Sequence, residues 1–232
     1  MEKKFELTDK FVINAFGIKL FQIKCTKSFK YANEGDLGGY VEKEDNLSQS
    51  GDAWVSGDAQ VSGNAQVSGD ARVSGNAWVY GDARVSGNAW VYGDAQVYGD
   101  ARVSSNAWVY GNARVYGDAW VSGNAQVYGN AQVSGNARVY GKAQVSGNAQ
   151  VSGNARVEND HMHCGFDCFG SFNRHTHAYK TKGNKVEITC GCFRGSLEEF
   201  EKKVEETHKG TIYEKQYKAI INLIKIKFGI DG

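Results

Sequence analysis

The chain has 232 residues, room for one elongated domain with small end modules. Lys and Arg number 27 against 26 Asp and Glu, and a net charge of +1 gives no overall drive toward nucleic acid or an anionic membrane. The N-terminus, Met1-Glu2-Lys3-Lys4-Phe5-Glu6, lacks the apolar stretch of a secretory signal, and no apolar run approaches the ~20 residues of a membrane span, so a cytoplasmic protein is expected.

Residues 1–52 read as an N-terminal β cap. Phe11-Val12-Ile13 and Ile18-Lys19-Leu20-Phe21-Gln22-Ile23 are short strands around the turn Asn14-Ala15-Phe16-Gly17. Their apolar residues are suited to cover the open end of the structure that follows.

From residue 53 the chain repeats Ala-Xaa-Val-(Ser/Tyr)-Gly-(Asp/Asn) without insertion or deletion. Ala stands at every sixth position from Ala53 to Ala155 and Val at every sixth from Val55 to Val157, which makes eighteen units. Only Ser105, for Gly, and Lys142, for Asp or Asn, break the polar slots within the repeat. Ala and Val two apart share one face of an extended segment, and Gly followed by Asp or Asn supplies a turn in which positive φ is cheap. An inward pair followed by a corner, every six residues, closes a triangular coil in eighteen. A period of 3.6 would smear the apolar residues around a helix instead. The expected architecture of 53–160 is mainly β: a left-handed parallel β-helix of about six 18-residue coils, roughly 29 Å tall at the ~4.8 Å strand spacing.

The run resembles the hexapeptide-repeat β-helix of the acyltransferase superfamily, although Gly here falls two residues after Val. The variant Val-Tyr-Gly-Asn-Ala-Arg-Val resembles repeat proteins of phages and prophages that are labelled transferases or polymer-forming proteins. The lead-in Gly35-Asp36-Leu37-Gly38-Gly39-Tyr40-Val41-Glu42 resembles the same group. The likeness is specific for fold and weak for function.

Positions 18 apart stack, so the outer faces follow directly from the sequence. One carries Trp90, Tyr92, Trp108, Tyr110 and Tyr128; a second carries Trp78, Tyr80, Tyr98 and Tyr116; a third is an arginine stripe of Arg84, Arg102 and Arg138 interrupted by Trp120. These are the candidate binding residues, because outward Trp, Tyr and Arg on a soluble β-helix are the types favoured at interfaces. Stacking that merely braces neighbouring coils is the plainer reading. Self-association, as a homotrimer or another homo-oligomer, and a site for a foreign partner are the alternatives. Acyl transfer is disfavoured because the repeat holds no His to serve as base. An ice-binding surface is disfavoured because the repeat holds no Thr ladder.

Residues 161–232 read as a small α+β module with a ββαα order. Lys185–Cys190 alternates as a strand and pairs with a strand near Arg174–Thr181 through the turn Lys182-Gly183-Asn184. Ser196-Leu197-Glu198-Glu199 is a capping box that opens a helix to about Thr207, and a second helix runs from about Tyr213 to Phe228. The module resembles a phage-type C-terminal unit of unassigned role. Its start concentrates His161, His163, Cys164 and Cys168, with Cys190 and Cys192 further on. His-x-His and Cys-x-Cys pairs are able to chelate a structural zinc, but the spacing fits no common zinc finger, and no other cofactor is implied. Incidental Cys and His are the plainer reading, and a catalytic thiol–imidazole pair the weakest.

The function expected from the whole chain is a non-enzymatic scaffold of phage or prophage type. It would oligomerise and bind, in an inhibitory way, a host macromolecule such as a defence-system component. The runner-up is sequestration of a small nucleotide-like ligand between packed β-helices by aromatic and Arg side chains.

Overall fold

The computed structural model describes residues 2–181, 183 and 185–230. The turn expected at Lys182-Gly183-Asn184 includes two residues outside that set. A hairpin of β1 (Phe5–Ile13) and β2 (Lys19–Cys25) leads into β3 (Leu37–Val41). Eighteen two-residue strands follow, β4 to β21, from Trp54–Val55 to Arg156–Val157. The chain ends in β22 (His163–Phe169), β23 (Arg174–Lys180), β24 (Val186–Cys190), β25 (Phe193–Ser196), α1 (Leu197–His208) and α2 (Ile212–Phe228).

The repeat dictates the parallel β-solenoid. Every Ala and Val from Ala53 to Val157 is at most 3% exposed, so the interior is a stack of identical Ala and Val layers. Burying a Val fully contributes about 1.5–3 kcal/mol, and the repeat applies that eighteen times. Strands pair in parallel with those one coil away: Trp90 lies opposite Arg72 and Trp108, and Val91 opposite Val73 and Val109. The backbone is satisfied the same way, with Trp90 N donating to Ala107 O at 2.9 Å and Tyr92 N to Val109 O at 3.0 Å. The corners need a left-handed residue. Gly93 there has φ +72°, and a Cβ on it would meet Gly111 N at 3.1 Å. Ser105 takes the same corner conformation at φ 60° with a side chain attached.

The solenoid has about seven turns, one more than the strict repeat contains. Tyr40 and Val41 pair in parallel with Gln60 and Val61, and Leu47 bridges Val67 in parallel. Val41 to Leu47 keeps the six-residue step, but Leu47 to Val55 is eight residues. Those two extra residues, and Gly39 in place of Ala, disguise the first turn in the sequence. The Gly is required, because a Cβ at position 39 would lie 2.7 Å from Ala59 O and 2.8 Å from the Val55 side chain.

At the other end, β22 to β25 form one antiparallel sheet of four strands in sequence order, two more than the hairpin read from the sequence. β22 escapes a sequence reading because its residues His163-Cys164-Gly165-Phe166-Asp167-Cys168-Phe169 do not alternate in the usual apolar–polar way. α1 and α2 pack Leu197, Phe200, Val204, Ile220 and Ile224 on the side of the sheet that carries Ala178, Ile188 and Cys190. The capping box forms as expected, with Glu199 N donating to Ser196 Oγ at 3.2 Å and Ser196 N to Glu199 Oε2 at 2.7 Å. Among the described residues no helix is long and apolar enough to cross a membrane.

The corner geometry sets opposite expectations for two substitutions. Ser105→Gly relieves a left-handed L-residue, which costs roughly 1–2 kcal/mol, against an added chain entropy of roughly 0.5–1 kcal/mol. It should raise the melting midpoint by a few degrees. Gly93→Ala adds the same strain plus the close contact with the coil above, and should lower the midpoint by more than Ser105→Gly raises it. Thermal melts followed by circular dichroism check both signs.

Candidate functional site

A parallel solenoid offers two kinds of surface to a partner: its ends, where strands lack a neighbour, and its side faces, where outward residues stack. The chain treats the two differently.

Both ends are closed by the chain's own groups. At the start, Lys4 Nζ donates to Ala53 O at 2.8 Å and Gly51 O at 3.1 Å, and Asn46 Nδ2 donates to Ala65 O at 2.9 Å and Gly63 O at 3.1 Å. Phe5, Ile23 and Cys25 lie over the first apolar layer, fully buried. Burial lowers the Lys4 ammonium to about 8, with the nearby Asp52 carboxylate opposing the shift. At the finish, Asp160 Oδ1 accepts from Gln144 N at 2.8 Å. The side of the C-terminal sheet that faces away from the helices lies on the last coil. His177 Nδ1 stands 3.0 Å from Gln150 O, Thr189 Oγ1 donates to the same carbonyl at 3.4 Å, and the Tyr179 hydroxyl meets Ser152 Oγ at 3.3 Å.

The histidines are therefore part of a cap. A carbonyl only accepts, so His177 carries its proton on Nδ1 toward Gln150, and its Nε2 lone pair receives the Nδ1–H of His163 at 3.0 Å. His163 Nε2 is left buried and unpaired, with Asp160 Oδ1 3.8 Å away. His175 Nδ1 pairs with Asp167 Oδ1 at 2.7 Å. The candidate metal ligands do not converge. His163 faces the solenoid from the same strand on which Cys164 packs toward the helices, and Cys190 lies in the helix-side core. His161, Cys168 and Cys192 are exposed. Among the described residues no three His, Cys, Asp or Glu are placed to hold a metal ion. Burial also pushes the Cys164 thiol up to about 11, the wrong direction for a nucleophile.

The side faces match the stacking read from the sequence, and the structure distinguishes among them. On the first, Tyr92, Tyr110 and Tyr128 form a ladder with ring centroids 4.9 and 5.0 Å apart and planes within 4°. Trp90 and Trp108 run beside it edge to face at 5.8 Å, and Trp108 is 40% exposed. Trp54, at the foot of this face, is covered by Phe29 and is only 5% exposed, while the Arg72 guanidinium lies between Tyr31 and Trp90. On the second face, the ladder Tyr80, Tyr98, Tyr116 stacks at 4.8 and 5.0 Å. Here Phe16, from the tip of the N-terminal hairpin, packs on Tyr80 at 5.4 Å and Trp78 at 6.0 Å. On the third, Arg84, Arg102 and Arg138 are exposed, and Trp120, 38% exposed, lies beneath the Arg138 guanidinium at 5.4 Å. Burial holds the hydroxyls of Tyr80, Tyr92, Tyr98 and Tyr110 above the usual tyrosine range, so these rungs stay neutral near pH 7.

Phe16, Phe29 and Tyr31 are the site residues that a reading of the repeat passes over. The one signal for Phe16 is an aromatic at an exposed turn. Asn14 Oδ1 accepts from Phe16 N at 2.9 Å and Ile18 N at 3.0 Å, which fixes that turn.

The C-terminal cap should loosen in acid. Burial pushes His177 down to about 3 and lowers His163 as well, against the pull of Asp160. The unfolded imidazole takes its proton near 6.5, so between pH 6.5 and about 3 the unfolded state binds more protons and stability falls as pH falls. Protonation also sets the His177 Nε2–H against the His163 Nδ1–H, two donors face to face. Denaturation midpoints of the C-terminal module at pH 7.5, 6, 5 and 4.5 should decline in that order. His177→Gln should be less stable at pH 7.5 and show a shallower decline; an equal slope would remove His177 as its source.

A family model described as bactofilin, polymer-forming cytoskeletal, matches residues 53–172, just over half of the chain. No curated protein matches the chain. The match takes in all six strict-repeat coils and the start of the C-terminal sheet, and on that evidence the chain belongs to the bactofilin family of polymer-forming cytoskeletal proteins.

Proposed function

We propose that this protein is a non-enzymatic scaffold that assembles with copies of itself side to side, through the exposed ladders of its solenoid. The observation that carries the reading is the contrast between its surfaces. Both ends have their apolar layers covered and some strand-edge groups bonded by the chain's own side chains, whereas Trp90, Tyr92, Trp108, Tyr110 and Tyr128 form an aromatic strip on a side face. End-on addition of a second solenoid would first have to displace Lys4 and Asn46 at one end or the C-terminal sheet at the other. A side contact displaces only water. Two-residue strands with planar, neutral rings at a fixed spacing make a rigid surface, and rigid aromatic area is what interfaces use for energy.

We place a second copy on these faces, in preference to a host macromolecule or a nucleotide-like ligand, because the family is described as polymer-forming. The same description supports a structural role over acyl transfer, for which the coils also hold no base.

Sedimentation velocity and negative-stain electron microscopy test the proposal on the full chain. Wild type should form assemblies well above the 25.4 kDa subunit. Trp108→Gln/Tyr110→Ser uses residues the repeat already carries at those slots. It should keep the circular dichroism spectrum of wild type and lose assembly by roughly tenfold or more in concentration. Wild-type-like assembly by this variant would remove the aromatic ladder from the interface.

A further inference from the structure

We propose that the C-terminal module carries a binding cleft for a small apolar group bearing a carboxylate, held by Arg174 over an aromatic floor. The cleft opens on the helix side of the sheet, where the turn between β24 and β25 meets α1 and α2. The solenoid lies on the other side of that sheet, so the proposal stands apart from how copies assemble.

The floor is apolar and neutral. Phe193 and Phe200 meet at 5.1 Å between ring centroids, and Phe200 meets Tyr217 edge to face at 5.7 Å. The Tyr217 hydroxyl is turned to use inside the module, 3.8 Å from Cys190 Sγ. Burial, with the Cys190 thiol adding to it, pushes that hydroxyl up to about 12. The volume is about 120 Å³. An apolar cavity of roughly 150 Å³ holds benzene, so an open cleft slightly smaller suits a phenyl ring or a branched alkyl group.

The rim has one sign of charge. Arg174, Lys203 and His208 line the cleft, and no carboxylate does among the described residues. Two of these cations are engaged elsewhere. His208 stacks on Tyr217 at 5.3 Å and serves as a wall, and Lys203 reaches Glu206 at 3.9 Å. Arg174 is fixed but unpaired. Its guanidinium lies over the Phe172 ring at 4.8 Å, and its chain crosses Gly191, where a Cβ would fall 2.8 Å from Arg174 Cδ. The ion pairs among the described residues leave it out. A guanidinium held in place offers a two-pronged fork that matches a carboxylate. One free fork beside a neutral apolar floor selects a monoanion with an apolar body, either a free small acid or the C-terminal residue of a peptide.

Phenylacetate and phenylacetamide share a shape and differ in charge, so they test the proposal on the full chain by ligand-observed NMR titration. The acid should bind roughly tenfold more tightly than the amide. Arg174→Gln should bring the acid down to the amide's affinity and leave the amide unchanged. Thr207 is exposed on α1 and lines the cleft, so Thr207→Trp should block both compounds without disturbing the fold. Iodoacetamide labelling read by mass spectrometry locates the site: phenylacetate should slow the reaction of Cys192, which lines the cleft, and spare the exposed Cys168. A short peptide ending in Phe, compared with its C-terminal amide, separates the two sources. Preference for the free peptide acid assigns a chain terminus, and binding of phenylacetate alone assigns a free acid. Equal binding of acid and amide, a preference that survives Arg174→Gln, binding that survives Thr207→Trp, or no binding at all would overturn the proposal.

Discussion

A parallel solenoid bonds its backbone only by stacking, so every coil needs another above and below it. Within the stack that demand is met by repetition. At the ends it cannot be, and the open N–H and C=O groups there invite strands from another molecule. The N-terminal segment and the C-terminal module both answer this one constraint. Lys4 and Asn46 donate to carbonyls of the first strict-repeat coil, and Asp160, His177 and Thr189 bond backbone groups of the last turn. The His and Tyr side chains on the solenoid-facing side of the C-terminal sheet are there because an edge of backbone polar groups needs polar partners. The opposite side of that sheet, facing the helices, is apolar.

The legibility of the chain follows from how local each determinant is. Ala53 to Val157 could be read completely, down to which outward residues stack, because inward slot, outward slot and corner are all set within six residues. The two helices and their capping box were legible for the same reason. The first turn was not, because the step from Leu47 to Val55 breaks the count. Nor were the caps. Nothing in the sequence ties His177 to the carbonyl of Gln150, because the acceptor is backbone, which carries no residue-type signal. The His and Cys residues weighed as metal ligands are kept apart by strand alternation, which sends Cys164 and its neighbour His163 to opposite sides of one sheet.

The outer faces show how the same stacking rule yields surfaces of different use. The three faces share one backbone and one interior, and differ only in the outward residues and in what the chain ends lay over them. The N-terminal hairpin and the loop after it lay Phe16 on Trp78 and Tyr80 and Phe29 on Trp54, at the feet of the two aromatic faces. The caps thus cover the ends and also reach onto the feet of two side faces.

Repetition brings its own hazard. Two surfaces with identical rungs at each coil could slide past one another by one coil and lose little contact, the analogue of register slip in a featureless sheet. A polymer built that way would have no fixed subunit spacing. The departures from repetition work against this. Tyr92, Tyr110 and Tyr128 occupy only three successive rungs, with Ser74 below and Ser146 above. In the arginine stripe Trp120 stands where a guanidinium would otherwise be, between Arg102 and Arg138. A one-coil slip then moves a ring opposite Ser and sets Trp120 against a different rung. The outward slots are variable while the inward ones are invariant, and that division lets one rigid repeat carry a constant interior beneath faces that differ from rung to rung.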